Sequence, residues 1–349
     1  MKKFISILLA GMMVISIAGC SNDTKETDTS NASETESQTE ESNSTPAETE
    51  TPEETNAPEE EADNTSESDG DTVSISHSLG DMEVKKNPSK IVVFDFGMLD
   101  TIDALNIDAE IALPKSNVPS YLEKFAADEY TSAGDIKEPD LEAINAFAPE
   151  LIIISGRQTD YYADLSEIAP TLYVEIDSTK YMEDFKKNNG YIGEIFDKTA
   201  EVEEQISGIE TTIETTKTNA ESAGLSALII LTNDGSISAY GPGSRFGIIH
   251  DVFGIPAKDT GIEVSTHGQE VNYEYISEQN PDLLFVVDRT TVVGGENTAE
   301  KTLDNELVNE TNAVKNDKVV SLNPDVWYLS GGGLASVSMM AEEINQVFE

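Results

Sequence analysis

The stretch EPDLEAINAFAPELIII (residues 138–154) recurs in pattern as VNYEYISEQNPDLLFVV (271–287), and the reading of this pair decides the fold. Glu142 falls on Glu274, Ile144 on Ile276, Pro149 on Pro281 and Leu151 on Leu283, each pair 132 residues apart. Each copy reads as an acid near a helix start, an apolar helix stripe, a proline stop and a continuous apolar strand. Strands apolar on both faces belong in parallel sheets covered by helices on both sides. Each copy leads within a few residues to an arginine, Arg157 in the first and Arg289 in the second. Two related α/β lobes are therefore expected.

Outward from these copies the same alternation continues. In the first half, IVVFDF (91–96), LIIIS (151–155) and TLYVEI (171–176) read as strands, with helices over MLDTIDALNI (98–107), LEAINAFA (141–148) and DLSEIA (164–169). Ahead of them, Thr72 to Val84 alternates polar and apolar residues around Leu79-Gly80-Asp81, a hairpin pattern. In the second half, strands are expected over 227–231, 236–240, 282–287 and 318–322, with an Asn233-Asp234-Gly235 hairpin turn. Helices are expected over 246–253, over 273–279 and from Leu334 to the end. Between the halves, Ile195, Val202, Ile206, Ile209 and Ile213 recur at helical spacing, with Asp197 as the expected N-cap. A helix there is about 36 Å long, enough to join two lobes as a stiff spine. The expected division is a first lobe over 71–196, a spine over 197–222 and a second lobe over 223–349.

The N-terminus predicts the compartment. Lys2 and Lys3 precede an apolar stretch from Phe4 to Ala18, and Ile17-Ala18-Gly19-Cys20 closes it with the chain's single cysteine. That is the pattern of a secretory signal over residues 1–20, too short to span a membrane as a mature helix. The four-residue run resembles a bacterial lipobox, which implies acylation (palmitate among the acyl groups) at Cys20 and tethering outside the cytoplasmic membrane. Residues 21–70 hold seventeen Asp and Glu against Lys25 alone, with no aromatic or branched aliphatic residue. Such a segment has nothing to bury and is expected to be a disordered acidic stalk. Its length suits the thick cell wall of a Gram-positive bacterium.

Charge supplies the functional signal. The formal net charge is -46, which argues against nucleic-acid binding. Of 21 basic residues only Arg157, Arg245 and Arg289 are arginines, and each follows an apolar strand-like run. Lysine serves solubility, whereas arginine offers a planar, permanently charged fork for paired anionic oxygens. Strand carboxyl ends line ligand crevices in α/β folds, so three forks there imply a pocket for a multiply charged anion. The plainer alternative is three separate surface ion pairs. Gly241, Gly243 and Gly247 are spaced one residue too long for a dinucleotide fingerprint. No G-x-S-x-G elbow, H-E-x-x-H or P-loop occurs. An enzyme is not expected, and no intrinsic cofactor.

The stretches SGRQTDYYADLSEIAPT (155–171), YGPGSRFGIIHDVFG (240–254), STHGQEVNYEYISEQNPDLLFVVDR (265–289) and NPDVWYLSGGG (323–333) resemble class III, helical-backbone substrate-binding lipoproteins of ABC importers. Within that class they are similar to receptors for ferric catecholate siderophores of the petrobactin and enterobactin type. The resemblance implies that Arg157, Arg245 and Arg289 hold the catecholate oxygens and that His267 and Tyr328 complete iron coordination when the siderophore is tetradentate. Fe(III) favours phenolate oxygen and also accepts imidazole. Trp327, beside Tyr328, is expected to line the pocket, and His250 to be structural. Glu142 and Glu274, one per lobe, are the implied docking acids for the permease subunits, and a monomer is expected. The alternatives are a receptor for another anionic iron chelate or haem, and an extracellular siderophore hydrolase, against which the absence of a nucleophile–base constellation counts.

Overall fold

The computed structural model describes residues 71–349, which fall in one compact unit. The signal segment, Cys20 and the stalk lie outside the described residues. The first element is the expected hairpin: β1 (Thr72–His77) pairs antiparallel with β2 (Gly80–Lys85). Its inward residues Val73, Ile75, Met82 and Val84 join the main core.

The apolar runs form two five-stranded sheets. β3 (Lys90–Val93), β4 (Glu110–Leu113), β5 (Thr131–Ser132), β6 (Leu151–Ile154) and β7 (Thr171–Tyr173) pair in the order β5-β4-β3-β6-β7, all parallel. The second sheet contains β8 (Ala227–Asn233), β9 (Ser236–Tyr240), β10 (Gln269–Val271), β11 (Leu283–Asp288) and β12 (Val319–Leu322), in the order β10-β9-β8-β11-β12. There β8, β11 and β12 are parallel, while β9 and β10 are antiparallel to their neighbours. The turn between β8 and β9 is the expected one: Asp234 and Gly235 have φ of 48° and 95°, the left-handed pair a two-residue hairpin favours.

The repeat is structural as well as sequential. Helices Leu141–Phe147 and Tyr273–Gln279 each start on a side-chain cap, Asp140 accepting from the Ala143 amide and Asn272 from the Tyr275 amide. Ile144 and Ile276 are the fully buried residues of each. Both helices end on a left-handed residue before the proline, Ala148 at φ 53° and Asn280 at φ 43°. The proline ring disfavours the helical conformation in the residue before it, so the chain turns out of the helix and into β6 or β11.

The spine is a 25-residue helix, Thr199–Ala223, about 37 Å long, ended by Gly224 at φ 62°. Val202, Ile206, Ile209, Ile213, Thr216 and Ala220 form its buried stripe. Two details differ from expectation. Ile195 ends a separate helix, Tyr181–Ile195, and Asp197 is not the N-cap. Asp197 has φ 51°, breaks the two helices apart, and accepts from Lys86 and from Asn87 (2.8 Å) instead. The expected helix over 246–253 contracts to Ile248–Asp251, and the DLSEIA helix begins earlier, at Tyr162.

One apolar cluster runs from the inner face of the first sheet, through the spine, to the inner face of the second. Smaller clusters cover the outer faces. The C-terminal helix, Leu334–Gln346, contributes to the shared core by crossing back onto the first lobe, where it packs on helix Phe96–Ala104 and on the spine. The crossing is so close that a Cβ on Gly97 would lie 2.9 Å from the Gly333 nitrogen.

Candidate functional site: an arginine cluster around Tyr328

Arg289 follows β11, and its direction is set by the hairpin turn beside it. Its Nη1 donates to the Asn233 side chain, and its Nε donates to the Tyr328 phenol oxygen at 2.6 Å. Arg245 approaches the same ring from another side: Nη2 donates to the Tyr328 carbonyl at 2.6 Å, and the guanidinium carbon lies 4.4 Å from the ring centroid. The Arg289 guanidinium carbon lies 5.4 Å from that centroid. The Tyr328 ring is thus flanked by two cations, a contact its π face favours.

The route of Arg245 into the cluster differs from the sequence reading. β9 runs antiparallel to β8, so its carboxyl end lies away from those of β8 and β11. Arg245 reaches Tyr328 because the loop 241–247 carries it there. Gly243, at φ 72°, donates its amide to Asp251 at 2.6 Å, and the Ser244 hydroxyl bonds to the Gly241 carbonyl.

Arg157 follows β6 in the first lobe, half-buried, and its side chain makes no hydrogen bond among the described residues. Its charge is nonetheless felt. Burial depresses the Arg245 pKa, and repulsion from Arg157 adds to that. At Tyr328 burial works upward, but the Arg289 hydrogen bond and the charges of Arg289, Arg245 and Arg157 outweigh it, so the phenol sits below the usual tyrosine range. Every ion pair among the described residues uses a lysine, and none uses an arginine. In a chain of charge -46, three arginines stand near one phenol with no carboxylate partner. The alternative of three separate surface ion pairs therefore does not hold.

Tyr328 lies on a single wide turn, Asp325–Leu329, with i to i+5 geometry that the sequence reading did not anticipate. Trp327 precedes it and points elsewhere: its indole is buried and donates to Glu343 of the C-terminal helix at 2.7 Å. It anchors the turn and does not face the cluster. His267 is exposed on the turn Ser265–Gly268, where its amide donates to the Ser265 hydroxyl at 3.2 Å. Gly268, at φ 73°, sits so close to Tyr240 that a Cβ would lie 2.7 Å from the ring. Tyr240 packs edge-on to Phe246 at 4.6 Å and is within the field of Arg245 and Arg289; burial pushes its pKa up to about 12. The turn that carries His267 thus packs on Tyr240 through Gly268, and His267 makes no hydrogen bond to Tyr328. His250 is half-buried with Nδ1 2.8 Å from the Ile255 carbonyl, a structural position.

Asn233, Tyr240 and Phe246 are site residues the sequence reading left unassigned. Asn233 had a signal as part of the hairpin turn, but its hold on Arg289 is tertiary. The first amides of the C-terminal helix, just after Gly331–Gly333, are bonded within the protein. Leu334 donates to the Thr101 hydroxyl at 3.0 Å, and Ala335 and Ser336 donate to the Asp100 carboxylate at 3.0 and 3.1 Å. Glu142 and Glu274 lie exposed in the first turns of the two repeated helices.

The arrangement suits capture of a polyanion. Its features are paired guanidinium forks, an acidified phenol and no nucleophile–base pair, and no group of three or more His, Cys, Asp or Glu that could hold a metal occurs among the described residues. Residues 91–326 match the family model described as periplasmic binding protein. The chain is 46% identical over 293 residues to the petrobactin-binding protein YclQ of Bacillus subtilis, covering 82% of this chain and 92% of that one. The crystal structure of YclQ superposes with a TM-score of 0.78, covering 80% of this chain and 99% of that one. The iron uptake ABC transporter substrate-binding protein PiuA of Streptococcus pneumoniae matches at 40% identity and TM-score 0.74, covering 78% and 97%. The catecholate-siderophore binding protein VctP of Vibrio cholerae matches at 32% identity and TM-score 0.74, covering 79% and 99%. With its two α/β lobes, its single spine helix and these relatives, the chain belongs to the periplasmic binding protein family.

Proposed function

We propose that this protein is the substrate-binding component of an ABC importer and carries a ferric catecholate siderophore between its lobes for iron uptake. The observation that carries the reading is the gathering of Arg157, Arg245 and Arg289 about Tyr328 without an acidic partner. A ferric catecholate spreads several negative charges over closely spaced oxygens, which planar forks match better than ammonium groups. The names of YclQ, PiuA and VctP point the same way. The ferric ion is cargo here. Tyr328 and His267 complete its coordination when the siderophore leaves positions open, and a hexadentate siderophore leaves none. Cys20 anchors the protein by acylation on the outer face of the cytoplasmic membrane, and Glu142 and Glu274 dock one lobe each on the permease.

The test is a titration of the soluble body from residue 71 with ferric bis-catecholates, ferric hydroxamates and haem, followed by Trp327 fluorescence and by calorimetry. Saturable sub-micromolar binding of the catecholates alone, lost when all three arginines become Gln, is the expected result. Tight hydroxamate or haem binding with no catecholate response overturns the ligand assignment, and turnover of intact siderophore by the purified protein overturns the receptor reading in favour of a hydrolase.

A further inference from the structure

One short segment of the first lobe touches both second-lobe loops that meet at the Arg289–Tyr328 contact. The Asn117 side chain donates to the Val292 carbonyl at 2.8 Å, in the turn that follows Arg289. Ser120 donates its amide to the Asp325 carboxylate at 3.1 Å and its hydroxyl bonds to the same oxygen. The Tyr121 phenol lies 2.8 Å from the Ser330 hydroxyl and 3.0 Å from the buried Asp100. Asp325 and Ser330 stand at the two ends of the turn that presents Tyr328, so the turn is held from the opposite lobe at both ends. Within the segment Asn117 is left-handed at φ 57°, Pro119 follows, and Ser120 opens a short 3-10 stretch that kinks at Leu122.

We infer that Asn117, Ser120 and Tyr121 are positioning residues that hold the Tyr328 turn against Arg289 across the interface between the lobes. A ferric chelate is a rigid array of oxygens, and a site that grips it works only when its donors stay within about 0.5 Å of the matching arrangement. Within its own lobe the turn is tied to the C-terminal helix by Trp327 and by the Asn323 amide, both bonded to Glu343. Those bonds fix the buried side of the turn. The segment 117–121 fixes its ends and, through Val292, its distance from the Arg289 loop. The ligand in this account rests on the siderophore reading above, but the placement of the turn does not.

The experiment uses the soluble body and the variants Asn117→Ala/Ser120→Ala, Ser120→Thr and, as a destabilised control remote from these contacts, Val84→Ala in the hairpin. Acrylamide quenching of Trp327, the chain's single tryptophan, reads the turn without ligand. Titration with ferric 2,3-dihydroxybenzoate reads the site. The double variant is expected to raise the quenching constant about twofold and to weaken binding about tenfold, a loss on the scale of one or two hydrogen bonds. Ser120→Thr, which keeps the hydroxyl, is expected to keep both at wild-type values, and Val84→Ala to move neither. Wild-type quenching in the double variant overturns the inference, as does wild-type affinity. Increased quenching in a series where even the wild type binds no ferric catecholate supports the positioning role and sinks the siderophore reading.

Discussion

Arg289 donates its Nε to the phenol oxygen of Tyr328 at 2.6 Å, while Asn233 takes a second edge of the same guanidinium. The phenol is thereby held against a guanidinium. Removing that cation as Arg289→Gln raises the Tyr328 pKa, read by ultraviolet difference titration against Tyr328→Phe. The sign extends to stability. A phenol depressed in the folded state stabilises it only above the unfolded tyrosine pKa, and that gain is lost as pH falls through the folded value. The wild type therefore gains on Tyr328→Phe as pH rises into the alkaline range, and Arg289→Gln abolishes the gain. Chemical denaturation as a function of pH checks this.

Arg157 is expected to show the opposite profile, affecting ligand and not fold. Its side chain makes no hydrogen bond among the described residues, and it repels Arg245. Arg157→Gln is expected to leave the unfolding midpoint unchanged or slightly raised, while weakening ferric catecholate binding about tenfold to a hundredfold, the cost of a charge-assisted contact. Calorimetric unfolding paired with ligand titration separates the two effects.

Asp100 makes the fold sensitive to pH. It is fully buried, and burial pushes its pKa up to about 7, although hydrogen bonds from Ser336, Tyr121 and Ala335 work in the other direction. A raised folded pKa means the native state retains a proton that the unfolded chain loses near the ordinary value of 3.8. Stability from this residue is then largest below about pH 4, falls as pH rises to about 7, and is level above that. The difference between wild type and Asp100→Asn, measured by urea unfolding at several pH values, should shrink by a few kcal/mol over that interval.

Ala148 occupies a left-handed position at φ 53°, where its counterpart in the repeat is Asn280. A Cβ there costs about 1 kcal/mol, so Ala148→Gly should stabilise the protein by roughly that amount despite glycine's greater unfolded-state entropy. A Tm lower than that of the wild type contradicts this.

Glu142 and Glu274 are exposed, and neither is engaged in an ion pair among the described residues. The double charge reversal to Lys is expected to leave ferric catecholate affinity and Tm unchanged and to abolish iron uptake in cells relying on this receptor. Normal uptake removes both from the docking role.

The amino-acid sequence by itself determined the apolar strands of both sheets other than β4, β5 and β10, the spine and the repeat, because those depend on local periodicity: Ile144 and Ile276 are buried for the same reason at the same helical position. It also singled out the three arginines, since their scarcity in an acidic chain is a property of composition. Helix Tyr181–Ile195 escaped it. Its Asn188, Asn189 and Gly190 are weak helix formers, and Asn188 and Asn189 are buried there with bonds to distant carbonyls, Asn188 to Glu175 and Asn189 to Gly332. The direction of Trp327 likewise depended on Glu343, sixteen residues away on another helix. What tertiary structure alone decided was the site itself: an antiparallel β9 whose loop returns Arg245 to Tyr328, and a turn whose two ends are bonded to Ser120 and Tyr121 of the other lobe. Local propensity carries no information about residues 205 and 209 positions apart, and their meeting follows from two sheets packing on one spine.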